Sequence, residues 1–281
     1  MLEHSFVHIP TIGLNTEKRI WSEGILSLDE FLMSPPGFLS PGRQKSIAGH
    51  IRVAREKLDS GDAGYFCHCL PASEQWRIFK EYRHSTAYID IETTGLGGFG
   101  NIITTIALYD GQNVKHYIQG VNLEEFIQDL EKYKVIVSYN GKSFDVPFIE
   151  NYFGISMDHA HLDLRYILRS LGYGGGLKSC EHQLGIGRTG CLGEVDGYFA
   201  VLLWYDYQNK GNEKSLETLL AYNIQDVLNL ERLMIEAYNQ KTNKLPLPVE
   251  PLKTCAPPAN PFTVDLPTVE RIKQHRLLRT F

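Results

Sequence analysis

The stretch TAYIDIETTG, residues 86–95, is rich in β-branched and aromatic residues and reads as a strand. Two acids, Asp90 and Glu92, interrupt its apolar run, and Thr93, Thr94 and Gly95 end it. Residues two apart in a strand point to the same face, so both carboxylates emerge side by side. Like charges that close repel, and a cation would relieve the repulsion. A glycine after the strand lets a ligand approach the backbone.

Outward from that strand, NIITTIALYD (101–110) and NVKHYIQ (113–119) read as two more strands, with a hairpin turn at Asp110-Gly111. NLEEFIQDLEKY has helical spacing and KVIVSYN is a short apolar strand. SFDVPFIENYF reads as a helix, since Pro147 lies near its start, where proline is tolerated. HAHLDL is a fifth strand, and LRYILRSLG, LKSCEHQLG, YFAVLLWYDYQ and SLETLLAYNIQDVLNLERLMIEAYN are helices. Three strands, then alternating helix and strand, then helices, imply an α/β fold with a mixed five-stranded sheet flanked by helices. Residues 1–82 form a helical, turn-rich N-terminal region, 83–240 the sheet domain, and 241–281 a tail. Seven of the thirteen prolines fall between Pro246 and Pro267, so the tail runs extended along the surface or dangles from it. VERIKQHRLLRTF, at the end, reads as a short basic helix.

Composition bounds the function. The chain has 281 residues, 43% hydrophobic and 22% charged, an ordinary globular mix. No apolar run reaches the roughly 18 residues of a membrane span, and MLEHSFVHIPTIG lacks the features of a signal peptide. Five scattered cysteines fit a reducing compartment, and a cytoplasmic protein is expected. The net charge of −5 argues against nucleic-acid binding by bulk positive charge. A nucleic-acid partner would need local basic residues or bound metal ions.

Two further pairs join the acids of the strand. Asn140 closes a strand and Asp145 opens the next helix in SYNGKSFDVPFIE. Both positions are also favourable without any function, as turn and helix N-terminus. Tyr222 and Asp226, four apart in LLAYNIQDVLNLERL, share one face of a packed helix. A buried hydrogen bond or salt bridge would account for that acid equally well.

Taken in order, DIETTG, N-x-x-x-F-D and Y-x-x-x-D resemble the three exonuclease motifs of the DEDD superfamily of 3′–5′ exonucleases, which have a ribonuclease H-like fold. Tyrosine at 222 resembles the tyrosine branch. ITTIALYDG, YNGKSFDVPFIE, HAHLDLRY and LLAYNIQDV resemble the bacterial YprB-type ribonuclease H-like domain proteins. The resemblance covers about residues 85–238. It implies two-metal hydrolysis of phosphodiester bonds in DNA or RNA, acting from a single-stranded 3′ end, with two Mg²⁺ or Mn²⁺ ions. By that analogy Asp90 bridges both ions, while Glu92 and Asp226 complete the site of the attacking water. Asp145 helps hold the second ion, partly through water, and Tyr222 orients the water. Thr93, Thr94 and Asn140 would contact the terminal nucleotide; Leu96 and Phe144 either meet a base or, the favoured reading, fill space. A binding module of the same fold with little turnover and a structure-selective endonuclease are the alternatives. Retention of four acids and the tyrosine favours the enzyme.

Other patterns are weaker. Cys67-His68-Cys69 is too crowded for zinc, Cys180, His182 and Cys191 lack a paired C-x-x-C, and His159 and His161 read as structural. Asp163 either supports the site or caps a helix. Residues 172–176, YGGG among them, lack a Walker ending and read as a flexible loop. HIPTIGLNTEKRIWSEGI resembles a helix-hairpin-helix element, with Gly13 at the turn, Asn15 or Thr16 as cap, and Ile20 and Trp21 as apolar anchors. Thr11 stands there in place of the usual glycine. The run GRQKSIAGHIRVAREK sets Arg43, Lys45, Arg52, Arg55 and Lys57 against Glu56, a surplus that would guide a phosphate backbone or simply be a solvated face.

Overall fold

The computed structural model describes residues 1–95, 100–187 and 197–278. The N-terminal part holds α1 (Leu14–Ser22), α2 (Leu28–Met33), α3 (Pro41–Asp59), α4 (Ala63–Cys69) and the short α5 (Phe79–Tyr82). Then come β1 (Thr86–Thr93), β2 (Ile103–Tyr109), β3 (Val114–Ile118), α6 (Glu125–Leu130), β4 (Val135–Ser138), α7 (Asp145–Phe153) and β5 (Ala160–Asp163). Helices α8 (Leu164–Arg169), α9 (Leu177–Gln183), α10 (Gly197–Lys210), α11 (Glu213–Thr242) and α12 (Leu266–Leu278) complete the chain. The strands form one mixed sheet in the order β3-β2-β1-β4-β5, antiparallel among the first three and parallel from β1 to β4 to β5. The α/β architecture is the one implied by the order of elements. Among the described residues no helix is long and apolar enough to cross a membrane.

Alternation along β1 splits the core in two. Ala87, Ile89 and Ile91 face one apolar cluster, shared with Phe126 of α6 and Ile149 of α7. Tyr88 faces the other, shared with Val227, Leu228 and Leu230 of α11. Helix α11 is buried along most of its length, which explains its apolar residues on several faces. The Asn212 side chain caps it, accepting from Lys214 N at 3.2 Å. The β2–β3 hairpin turns at Gly111, whose φ of +91° suits glycine. Asp110 Oδ1 accepts the Gln112 and Asn113 amides there, at 2.9 and 2.7 Å.

The N-terminal segment departs from the helix-hairpin-helix expectation. Before α1 there is a single 3-10 turn, Leu2–His4, and then irregular chain. Gly13 is extended (φ −94°) and caps α1 by its backbone alone, while Thr11 takes the positive φ, +73°. Asn15 and Thr16 lie inside the helix rather than at its cap. A buried carboxylate organises this chain. Glu17 Oε1 accepts from Phe6 N (2.7 Å), Val7 N (3.2 Å) and Arg77 Nη1 (2.8 Å). Arg77 is 1% exposed, pairs also with Glu74 (2.7 Å), and lies near the rings of Trp21 and Trp76. Ile20 and Trp21 are buried anchors, as their sequence positions suggested.

The proline-rich segment lies against the body. Leu245, Leu247, Val249, Leu252 and Phe262 pack on the main core. Asn239 brackets Leu252 with bonds of 2.9 and 2.7 Å, and Asn260 Nδ2 donates to Ala221 O at 2.8 Å. Helix α12 is fastened by Arg271, whose guanidinium donates to both oxygens of Asp206 on α10 (2.9 and 2.5 Å).

Removing one partner of a buried ion pair strands the other charge. Arg77→Met should therefore lower unfolding free energy by about 3–5 kcal/mol. Urea denaturation checks this, and an unchanged midpoint would contradict it.

Candidate active site

The site forms where the sheet splits. Strand β1 pairs with β4 only through Thr86, Ala87 and Tyr88, then continues beside β2 alone. Beyond Tyr88 the β4-facing side of β1 has, among the described residues, no strand to receive its amides. The Ile91 amide donates instead to Asp145 Oδ1, at 3.3 Å. This crevice at the carboxyl ends of parallel strands is the usual ligand position in α/β sheets. Asp145 is the first residue of α7 and is buried.

Asp90 and Glu92 continue the Tyr88 face of β1 toward α11. From α11, Asn223 reaches back. Its Nδ2 donates to Asp90 Oδ2 (2.7 Å) and Asp90 O (3.1 Å), and its Oδ1 accepts from Thr105 Oγ1 of β2 (3.1 Å). Tyr222 and Asp226 flank Asn223 on α11; Tyr222 is 3% exposed. The Lys178 Nζ of α9 lies 5.8 Å from the centroid of the Tyr222 ring.

Electrostatics show that the acids sense one another. Burial, then Asp226, Glu92 and Asp145, push the Asp90 carboxyl well above the usual carboxylate range, against the Asn223 hydrogen bond. Burial, Asp226 and Asp145 push Glu92 to about 8, with Lys178 opposing. Burial pushes Asp145 to about 7, opposed by backbone hydrogen bonds including the one from Ile91. Thus β1, α7 and α11 bring Asp90, Glu92, Asp145 and Asp226 into one electrostatic unit, with Tyr222 beside it.

Thr93 and Thr94 shape the turn after β1. The ladder is irregular between Glu92 and Thr93, Thr93 Oγ1 donates to Gly95 O (2.6 Å), and Thr94 Oγ1 accepts from Ile102 N (2.9 Å). Asn140 stands apart from the carboxylates' own contacts. It takes φ +68° and its Oδ1 accepts from Arg165. Asp163 is a helix cap that also holds the preceding loop. Its carboxylate accepts the Asn140 and Lys142 amides (2.8 and 3.0 Å) and caps α8 through Arg165 N (3.0 Å). It thereby fixes the loop that delivers Asp145. In that loop a Cβ on Gly141 would collide with Ser138 Oγ, so the chain passes there only as glycine.

Phe144 packs on Phe148, 5.8 Å between rings, consistent with filling space. Leu96 and Cys191 lie outside the described residues. His161 bonds Ser138 Oγ (2.7 Å) and His159 bonds Leu130 O (3.3 Å). Residues 172–176 are pinned, with Tyr139 Oη donating to Gly175 O (2.6 Å) and Ser179 Oγ to Gly174 O (3.1 Å). On α3, Arg55 pairs with Asp29 and Lys57 with Asp62. Sequence reasoning did not single out Asn223 or Lys178. A polar residue beside Tyr222 in a packed helix was the available signal for Asn223.

Among the described residues no three His, Cys, Asp or Glu side chains are grouped tightly enough to ligate one ion. The donor chemistry nevertheless fits hard divalent cations. Every acid is a carboxylate, and the neighbouring acids oppose the ionisation of Asp90 and Glu92 in addition to burial. A divalent cation would relieve that repulsion.

Residues 87–238, more than half of the chain, match the RNase H superfamily (RNase_H_2). The chain belongs to that superfamily, in agreement with the resemblance of its motifs. No curated protein matches it in sequence. Among solved structures, the family B DNA polymerase of Pyrobaculum calidifontis gives a TM-score of 0.41 at 15% identity, covering 56% of this chain and 24% of the polymerase. NrnC of Brucella melitensis bound to pGG gives 0.40 at 19% identity, covering 59% of this chain and 77% of NrnC. NrnC with bound Mg²⁺ gives 0.39 at 18% identity, with the same coverage. This chain therefore spans well under half of the polymerase.

The crowded acids carry a pH signature. Burial and the neighbouring acids push native Glu92 up to about 8 with no metal bound, against an ordinary 4.5 for glutamate in the unfolded chain. Between those values the native state holds a proton that the unfolded state has lost, so native stability falls as pH rises through the window. Glu92→Gln should then melt higher than the wild type at pH 8 in chelator, by about 2–4 °C per kcal/mol relieved. At pH 4 the two should coincide. A lower melting point for the variant at pH 8 would contradict the assignment.

Proposed function

We propose that this protein is a metal-dependent 3′–5′ exonuclease of the DEDD tyrosine branch, hydrolysing DNA or RNA from a single-stranded 3′ end. One observation carries the reading. Three separate elements, β1, α7 and α11, deliver carboxylates that repel one another in a shared recess, and the motifs that deliver them stand in the order of that branch. Such crowding is costly and has no packing purpose.

Asp90, Glu92, Asp145 and Asp226 would hold two divalent ions, Mg²⁺ or Mn²⁺. Bound there, those ions supply a more acidic water and neutralise charge on the leaving oxygen. The protein's own groups do the rest. Asn223 fixes Asp90 through two hydrogen bonds, so its oxygens need no reorganisation. Asp163 and the Ile91 amide fix Asp145. Tyr222 orients the attacking water through its phenol; at an ordinary pKa near 10 a phenol is a poor base at neutral pH. Thr93, Thr94 and Asn140 line the approach of the terminal nucleotide, and the exposed Arg43, Lys45 and Arg52 of α3 add local positive charge for the strand.

The test is degradation of 3′- and 5′-labelled DNA and RNA strands with Mn²⁺, Mg²⁺ or chelator. Stepwise shortening from the 3′ end, dependent on metal, is expected. Release in chelator, no release at all, or cleavage of a circular single strand would overturn the proposal. In the same assay Asp90→Ala and Asp226→Ala should lose at least about 10²-fold in turnover while remaining folded. Wild-type turnover in a folded Asp226→Ala protein would refute the metal role. Tyr222→Phe should lower kcat more than it weakens the Mn²⁺ requirement. An unchanged kcat would remove the phenol from the reaction.

A further inference from the structure

The acid recess has one feature that the four carboxylates and the tyrosine do not explain. A lysine faces it. Lys178 sits on α9, half-buried, with its Nζ 5.8 Å from the Tyr222 ring centroid. It therefore lies on the Tyr222 side of the recess.

This placement is built. Glu181, one turn further along α9, is 2% exposed and accepts from Asn229 Nδ2 of α11 at 2.9 Å. Asn229 lies two turns beyond Tyr222 on α11. The pair thus staples α9 to α11 alongside the acids. Cys180, between Lys178 and Glu181, is 1% exposed and anchors the helix in the core. Before α9, the glycine-rich loop is tied by Tyr139 Oη to Gly175 O (2.6 Å) and by Gln183 Nε2 to Gly174 O (2.8 Å). A lysine on a mobile loop would sample many positions; this one is held on a fixed helix.

The chemistry asks for such a group. A phosphodiester is anionic, and four carboxylates repel it. Water attack adds charge to the phosphoryl oxygens while the P–O3′ bond breaks, and preorganised cations are most effective there. We propose that the Lys178 ammonium contacts the scissile phosphate, on the Tyr222 side of the recess. This rests on the nuclease reading above. It adds a catalytic cation supplied by the protein.

The test uses full-length Lys178→Met and Lys178→Arg, each checked for folding by its melting point. Two quantities are measured. The first is single-turnover cleavage of a 5′-labelled strand in Mn²⁺. The second is affinity for the same strand by fluorescence anisotropy, with Ca²⁺ replacing Mn²⁺, across a series of salt concentrations. Lys178→Met should lose about 10²-fold in turnover. Its slope of log affinity against log salt should flatten by about 0.7, the loss of one phosphate contact on a single strand. Lys178→Arg should restore the slope and most of the turnover. Wild-type turnover in Lys178→Met, or an unchanged salt slope, would overturn the proposal and leave the nuclease reading standing. Wild-type protein that cleaves nothing under any metal would overturn both.

Discussion

Mutual repulsion among crowded carboxylates, Asp145 buried and Asp90, Glu92 and Asp226 half-buried, is the constraint around which this protein is arranged. Burial and the neighbouring site acids push Asp90 and Glu92 upward, and burial, with Asp163, pushes Asp145. Such an arrangement persists only where a rigid surround prevents the acids from swinging apart. That surround comes from both faces of the sheet. Strand β1 fixes two acids by alternation, α7 contributes one at its first turn, and α11 contributes another from the opposite layer. The apolar clusters on the two faces hold these layers together. Stability is spent in the recess and recovered in the core, a common trade at functional sites.

The supporting groups act on geometry. Asn223 links Asp90 to Thr105, so a strand acid, a helix amide and a neighbouring strand hydroxyl move as a unit. Asp163 accepts two amides of the Asn140 loop and caps α8 with the same carboxylate. The early end of the β1–β4 ladder leaves the Ile91 amide for Asp145. Each of these bonds removes a degree of freedom from the carboxylates and the loop that carries them.

Much of this was legible in the sequence, for physical reasons. Clusters of β-branched and aromatic residues and short apolar runs marked the strands, and the turn at Asp110-Gly111 announced its hairpin. Acids inside apolar strands and helices stood out because burial makes them expensive. What escaped notice depends on contacts distant in sequence. Asn223 looks like any helical asparagine until Asp90, far away in the chain, lies beneath it. Glycine at 13 suggested a sharp turn, but Glu17 captured the Phe6 and Val7 amides, and the strained residue is Thr11. A glycine-rich loop looked flexible because composition does not reveal Tyr139 and Ser179 bonding its carbonyls. Proline content showed that the C-terminal segment is irregular, whereas its docking depends on Asn239, Asn260 and Arg271 meeting distant partners.

The central claim is that these carboxylates exist to share divalent cations. Anomalous diffraction from crystals of the protein grown with Mn²⁺ tests it most directly. Manganese peaks within bonding distance of Asp90 and of at least one of Glu92, Asp145 and Asp226 are predicted. Ordered carboxylates with no manganese among them, at concentrations where the ion binds elsewhere on the protein, would contradict it.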